Sequence, residues 1–164
     1  MNKSIIVGCA LGIAFIRCEA AEVEKTLCSA DSAILFNCET ARNKIISLCA
    51  VKSKRTTIEY KYGTLGKIDF SYISSNYSRN NFYHGKFQGG SVATDLIWFR
   101  SRPFTYSLFS PDSGADGVAV IKSEKLISSQ NCVKKSRTEL NINNSLIEQV
   151  TEDQAADLLV KILN

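Results

Sequence analysis

A chain of 164 residues with 20 basic and 16 acidic side chains carries a net charge of +4, a surplus too mild to single out an acidic partner. Its one histidine, in a chain whose cysteines are expected to be oxidised, argues against a zinc centre. Two prolines and no low-complexity tract leave no sign of a linker, so the chain reads as one domain behind a leader.

The leader is residues 1–20. "MNKS" carries one positive charge at Lys3, and "IIVGCALGIAFI" is an unbroken run of apolar and small residues from Ile5 to Ile16. Cys18 and Ala20 follow, spaced as a signal peptidase reads them. The run is shorter than the about 20 apolar residues of a membrane span. A lipid anchor fits poorly: Cys18 follows Arg17, and Cys9 sits too early to leave an apolar region before it. The expectation is a signal peptide cleaved after Ala20, a soluble periplasmic or secreted product, and no stable membrane insertion afterwards. Removing 20 of 164 residues leaves one domain of 144, residues 21–164. Its charge, without Lys3, Arg17 and Glu19, is 18 basic against 15 acidic, or +3.

Cleavage also removes Cys9 and Cys18, so six cysteines become four: Cys28, Cys38, Cys49 and Cys132. An even number in an exported chain favours structural disulfides. The spacings of 10, 11 and 83 residues contain no CxxC pair, which speaks against zinc and against redox catalysis. Three pairings are open. Cys38 and Cys49 flank a hairpin whose tip is read at Asn43-Lys44, which predicts a Cys38–Cys49 bond and leaves Cys28 to Cys132. A two-residue tip makes 38 and 49 a hydrogen-bonded pair with side chains set apart, so a longer loop or a bulge is needed to join them.

After this hairpin, "TTIEYKYGTLGKIDFSYI" alternates, with Ile58, Tyr60 and Tyr62 on one face and Thr57, Glu59 and Lys61 on the other. "GTLG" turns the chain, and Ile68, Phe70 and Tyr72 form the answering strand. "SSNYSRNN" reads as a loop within a polar, aromatic stretch from 74 to 90. "SVATDLIWF", "FTYSLFS" and "GVAVIKS" are further strands, with "PDSGADG" as the turn between the last two. The basic clusters "KSKR" at 52–55, Arg100 with Arg102, and "KK" with Arg137 read as solvated strand ends rather than a nucleic-acid surface. These elements predict a mainly β fold, an antiparallel sandwich or barrel of about 7–8 strands. "TEDQAADLLVKILN" then predicts a helix over 152–163, with Thr151 as N-cap, Gln154 completing a capping box, and an apolar stripe through Ala155, Leu158, Leu159 and Ile162.

The segments "LFNC", "KIISLC", "YKYGTLGKIDF" and "FTYSLF", within residues 28–122, resemble a recurring layout in a family of small exported bacterial proteins. That layout runs Phe-x-Cys, Lys-x-x-Ser-x-Cys, an aromatic-basic-aromatic-Gly strand end, and a later aromatic strand. The resemblance implies export and β structure and no particular activity. A weaker likeness is to periplasmic inhibitors of lysozyme, small disulfide-bearing β-barrels that present Ser-Gly followed by an aromatic. Ser113-Gly114 stands in a turn here, but Ala115, Asp116 and Gly117 follow it, which departs from the inhibitory loop.

Catalytic motifs are missing: there is no Gly-x-Ser-x-Gly elbow and no HExxH. Asp112 and Asp116 in "DSGADG" lack EF-hand spacing and its final Glu, so a plain turn is expected there rather than a calcium site. His84 in "FYHGKF" has no nucleophile, metal partner or orienting carboxylate beside it in sequence, and reads as a loop or strand-edge residue. No metal, no cofactor and no enzymatic activity are expected. Tyr77, Phe82, Tyr83 and Phe87 are the candidate binding residues, because aromatics in a Ser/Asn/Gly-rich stretch offer rigid contact area; they also suit a cover for the end of the sheet. The reading is a non-enzymatic exported binding protein, an inhibitor or immunity protein against a cell-envelope-targeting enzyme, whose partner is an envelope or secreted protein and not nucleic acid. The alternatives are a hydrolase with a site near His84 and the 112–116 turn, or an envelope-associated subunit that pairs through sheet edges.

Overall fold

The first hairpin turns over residues 41–43 and not at Asn43-Lys44. The Thr40 N–H donates to the Lys44 carbonyl at 2.8 Å, and the Asn43 N–H to the Thr40 carbonyl at 2.9 Å. Asn43 closes the turn at φ 56°, a left-handed conformation that asparagine tolerates well. This three-residue loop sets the pairing of β1 (Ser32–Glu39) with β2 (Ile45–Val51) so that Cys38 lies opposite Ile46, while Cys49 lies opposite Ile34.

The computed structural model describes residues 24–51, 57–75, 81–133, 137–138 and 147–163; the expected signal peptide and Tyr77 lie outside them. The remaining strands are β3 (Thr57–Thr64), β4 (Lys67–Ser75), β5 (Phe82–Gly89), β6 (Val92–Ser101), β7 (Phe104–Pro111), β8 (Gly117–Lys122), β9 (Lys125–Asn131), β10 (Arg137–Thr138) and β11 (Ile147–Gln149), before helix α1 (Glu152–Leu163). They form a five-stranded sheet, β10-β1-β2-β3-β4, and a six-stranded one, β11-β5-β6-β7-β8-β9. The fold is the expected mainly β sandwich with a C-terminal helix, and it carries more strands than expected. Its pairing is antiparallel except for β11, which runs parallel to β5. The largest departure is β5: residues 82–89, read as part of a loop, are a strand between β6 and β11.

The two sheets face each other through a shared core of Phe36, Ile46, Leu48, Ile58 and Tyr60 from one and Phe82, Ile97, Phe99 and Leu108 from the other. Tyr60 and Phe99 meet across it with ring centroids 5.0 Å apart, and burial holds the Tyr60 phenol far above its usual range, so it stays protonated. Ile58, Tyr60 and Tyr62 face inward as their alternation predicts, with Phe70 and Tyr72 opposite them. Ile68 does not join them. A bulge leaves Asp69 without a partner between Ile68 and Phe70, and Ile68 turns out to 46% exposure.

The four described cysteines are all in disulfides, but with a different pairing: Cys28–Cys49 and Cys38–Cys132. The reason is the pleat. Phe36, Cys38, Ile46 and Leu48 belong to the inner core, so the alternate residues Asn37, Ser47 and Cys49 point to the opposite face. A Cys38–Cys49 bond has to pass through the sheet. On the outer face the N-terminal segment lies across β1 and β2. Leu27 N–H donates to Ser47 Oγ at 3.0 Å, Ser47 Oγ donates to Asn37 Oδ1 at 2.7 Å, and Asn37 Nδ2 donates to Glu24 Oε1 at 2.8 Å. Cys28–Cys49 staples this segment down. Cys38–Cys132 instead joins the two sheets, beside a bridge between Thr40 and Cys132 and a 2.8 Å bond from Val133 N–H to the Glu39 carbonyl.

The closed loops differ in length, 21 residues for Cys28–Cys49 and 94 for Cys38–Cys132. Loop-closure entropy gives about 3 kcal/mol for the first and nearly 5 kcal/mol for the second. Non-reduced peptide mapping should join residue 28 to 49 and 38 to 132. In urea unfolding, Cys38→Ala/Cys132→Ala should lose more stability than Cys28→Ala/Cys49→Ala. A crosslinked 38–49 peptide would refute the pairing.

A candidate binding cleft under the helix

Strand β6 sends Leu96 and Trp98 to the outer face of the six-stranded sheet and Ile97 and Phe99 to the inner core, so this sheet has two faces to bury. Helix α1 covers the outer one with Ala155, Leu158 and Ile162. One half of the predicted capping box is present: the Thr151 N–H donates to Gln154 Oε1 at 3.2 Å, and the Thr151 hydroxyl lies 3.4 Å from the same oxygen. Glu152 and Asp153 sit in the first turn and Lys161 in the last, matching the helix dipole. Gly85 lets the helix come close. A Cβ there would lie 2.9 Å from both Ala155 Cβ and Val150 Cγ2, closer than real Cβ contacts come.

Cover is complete only along part of the sheet. Toward the β6–β7 turn a cleft of about 620 Å³ opens between sheet and helix. Its floor is Tyr83 and Trp98, cross-strand neighbours whose rings stack at 5.8 Å and 24°. Glu148 stands beside Tyr83 in register on β11, and Arg100 follows Trp98 two residues on, so both point outward with them. The helix contributes Gln154, Asp157 and Lys161, a stripe at helical spacing beside the buried Leu158. Lys161 pairs with Glu124 in the β8–β9 turn, closing one end. Arg100, Glu148 and Asp157 are exposed. The cleft therefore offers a flat aromatic base with charges of both signs around it.

Of the four binding candidates, Tyr77 lies outside the described residues and the other three separate. Tyr83 floors this cleft. Phe87 sits on the same face, beneath the far end of the helix near Leu159. Phe82 points the other way and is fully buried between the sheets, edge-on to Phe99 at 5.2 Å, so it is core and not a contact surface. The strand alternation of β5 explains the split. Trp98, Glu148 and Asp157 carry no sign of a site in sequence, and Arg100 reads there only as part of a basic cluster; the fold brings them together from three separate elements, β6, β11 and α1.

His84 is better supplied than its neighbours in sequence suggest. Its Nδ1 lies 2.8 Å from Gln149 Oε1 and its Nε2 3.3 Å from Asp95 Oδ1, so the orienting carboxylate comes from the next strand. Ser110, opposite Asp95 in β7, donates to the buried Asp116 at 2.7 Å. Of the hydrolase reading, His84 reaches Asp95 diagonally across β5 and β6, and Asp116 of the 112–116 turn is held by Ser110, while both His84 nitrogens are already engaged. Among the described residues no three His, Cys, Asp or Glu side chains gather as a metal site.

The hydrogen bond to Asp95 raises the His84 pKa, helped by Gln149 and opposed by burial and Lys86; the same bond lowers that of Asp95. His84 therefore contributes stability that is fully present below its unfolded pKa of about 6.5 and is lost as pH rises through the raised folded value. Asp95 contributes stability present above about pH 4 and lost as pH falls through its lowered value. The pair stabilises most between those limits. As the only histidine, His84 is readable as one ring in proton NMR: its midpoint should lie above the ordinary value and drop in Asp95→Asn. A midpoint unchanged by that substitution contradicts the pairing.

No protein-family model, curated protein or solved structure matches this chain, so the reading of the cleft rests on its own residues.

Proposed function

We propose that this chain is a non-catalytic exported binding domain that captures a segment of an envelope or secreted protein in the cleft under α1, acting as an inhibitor or immunity protein of an envelope-targeting enzyme. The observation that carries the reading is the Tyr83–Trp98 floor ringed by Arg100, Glu148 and Asp157. Stacked aromatics supply rigid apolar area, and charges of both signs select a partner that carries the complementary pattern. Two disulfides suit an oxidising compartment, and no described helix is long and apolar enough to cross a membrane. The occupied ring nitrogens of His84 favour binding over hydrolysis.

The test is a pull-down with the oxidised protein against periplasmic extract and muralytic enzymes, followed by titration of the captured partner. Tyr83→Ala, Arg100→Glu and Asp157→Lys should each weaken binding about tenfold or more with the thermal midpoint nearly held. Phe82→Ala should instead cost about 3–5 kcal/mol of stability. His84→Ala should leave binding within about a few-fold, since a half-buried pair away from the contact contributes little to it. Turnover by the wild type that His84→Ala abolishes in a folded protein would replace this reading with the hydrolase one.

A further inference from the structure

On the inner side of the six-stranded sheet, away from the helix cleft, the two sheets fail to close. A slot of about 340 Å³ remains between them, lined by Tyr60, Tyr62, Phe70, Tyr106, Val120 and Gln130. A run of near-parallel rings leads to it. Tyr72 and Phe99 stack at 4.2 Å and 21°, Phe99 and Tyr106 at 5.0 Å and 5°, and Tyr106 and Phe70 at 4.9 Å and 19°. Phe70 and Tyr106, the last pair, are themselves walls of the slot and only partly buried.

Gln130 supplies the polar element. It sits opposite Val118 on edge strand β9, facing inward, and its carboxamide oxygen is buried with no hydrogen-bond partner among the described residues. An unpaired buried carbonyl is costly, and such groups in folded proteins generally find a donor. The terminal amide torsion is broad and two-fold, so a modest rotation turns this oxygen into the slot. The one charge on the border, Asp69, is already held by Lys44 at 2.6 Å and Lys67 at 3.7 Å.

We propose that this slot binds a small planar aromatic molecule with one N–H or O–H donor, of the indole or phenol class, its ring against Phe70 and Tyr106 and its donor on the Gln130 oxygen. The walls select a flat apolar body, which prefers offset or edge contacts with other rings. The orphan acceptor selects a donor over a plain hydrocarbon. The volume lies at the small end of ligand pockets. The site is independent of the cleft under α1.

The experiment titrates the full oxidised chain with indole and with 1-methylindole, which has the same shape and no donor, following the tyrosine and phenylalanine ring resonances. Indole should shift Tyr62, Phe70 and Tyr106 and bind about tenfold tighter than 1-methylindole. Gln130→Met should abolish that preference while 1-methylindole still binds. Val120→Phe should fill the slot and block both probes. Arg100→Glu, in the other cleft, should leave all these values unchanged. Rings that do not shift, or equal affinity for the two probes in the wild type, overturn the proposal.

Discussion

Strand β6 buries both of its faces, and the rest of the architecture follows from that. Leu96, Ile97, Trp98 and Phe99 are four consecutive apolar residues, each nearly or fully buried. A pleated strand sends alternate side chains to opposite sides, so a second layer is required on each side of the sheet. The five-stranded sheet supplies one and α1 the other. This explains why a β sandwich ends in a helix: without α1, Leu96, Trp98, Ala119 and Ile121 would form an apolar patch in water. The cost of the arrangement falls on β5, where Gly85 surrenders its side chain so that Ala155 and Val150 can approach.

How legible this was depends on whether each strand has one buried face or two. Strand β3 alternates Ile58, Tyr60 and Tyr62 inward with Glu59 and Lys61 outward, where those two form a 2.9 Å ion pair, and its pattern is plain in sequence. Helix α1 was equally plain, because capping and periodicity agree over 12 residues. Strand β5 has no such signature. Phe82 faces one core, Tyr83 and Phe87 the other, His84 and Lys86 are polar on the Phe82 side, and glycine occupies two positions. Its Ser/Asn-rich approach then makes the stretch look like one loop. The short strands β10 and β11 carry too few residues for any period to show.

The disulfide error has a single physical source, the hairpin turn. Moving its closure to Thr40 and Lys44 shifts the register, and the face of each cysteine follows from the parity of its strand. The Phe-x-Cys and Ser-x-Cys spacings then take on a concrete meaning. In the first, Phe36 and Cys38 both enter the core with Asn37 between them on the outside; in the second, Ser47 and Cys49 both lie outside with Leu48 between them in the core. Asn37, Ser47 and Cys49 are the seat of the N-terminal segment. The motif encodes one staple between sheets and one between a sheet and its outer strap.

Both candidate ligand sites arise where a cover runs out before the sheet beneath it does. Twisted strands make this natural, since a straight helix or a second twisted sheet stays in close contact over only part of the surface below. On the outer face the uncovered end leaves the half-buried Tyr83 over the buried Trp98, beside the exposed Arg100, Glu148 and Asp157. On the inner face it leaves the end of a ring stack half-covered and, behind it, the buried Gln130 carbonyl with no donor among the described residues. Aromatic residues suit such boundaries because a ring can be half covered and still keep its packing partners, which aliphatic side chains of similar volume do less well. Tyr62 and Tyr106 at one end and Tyr83 at the other are half-buried in this way, while Tyr60 behind the first pair is fully buried in the core.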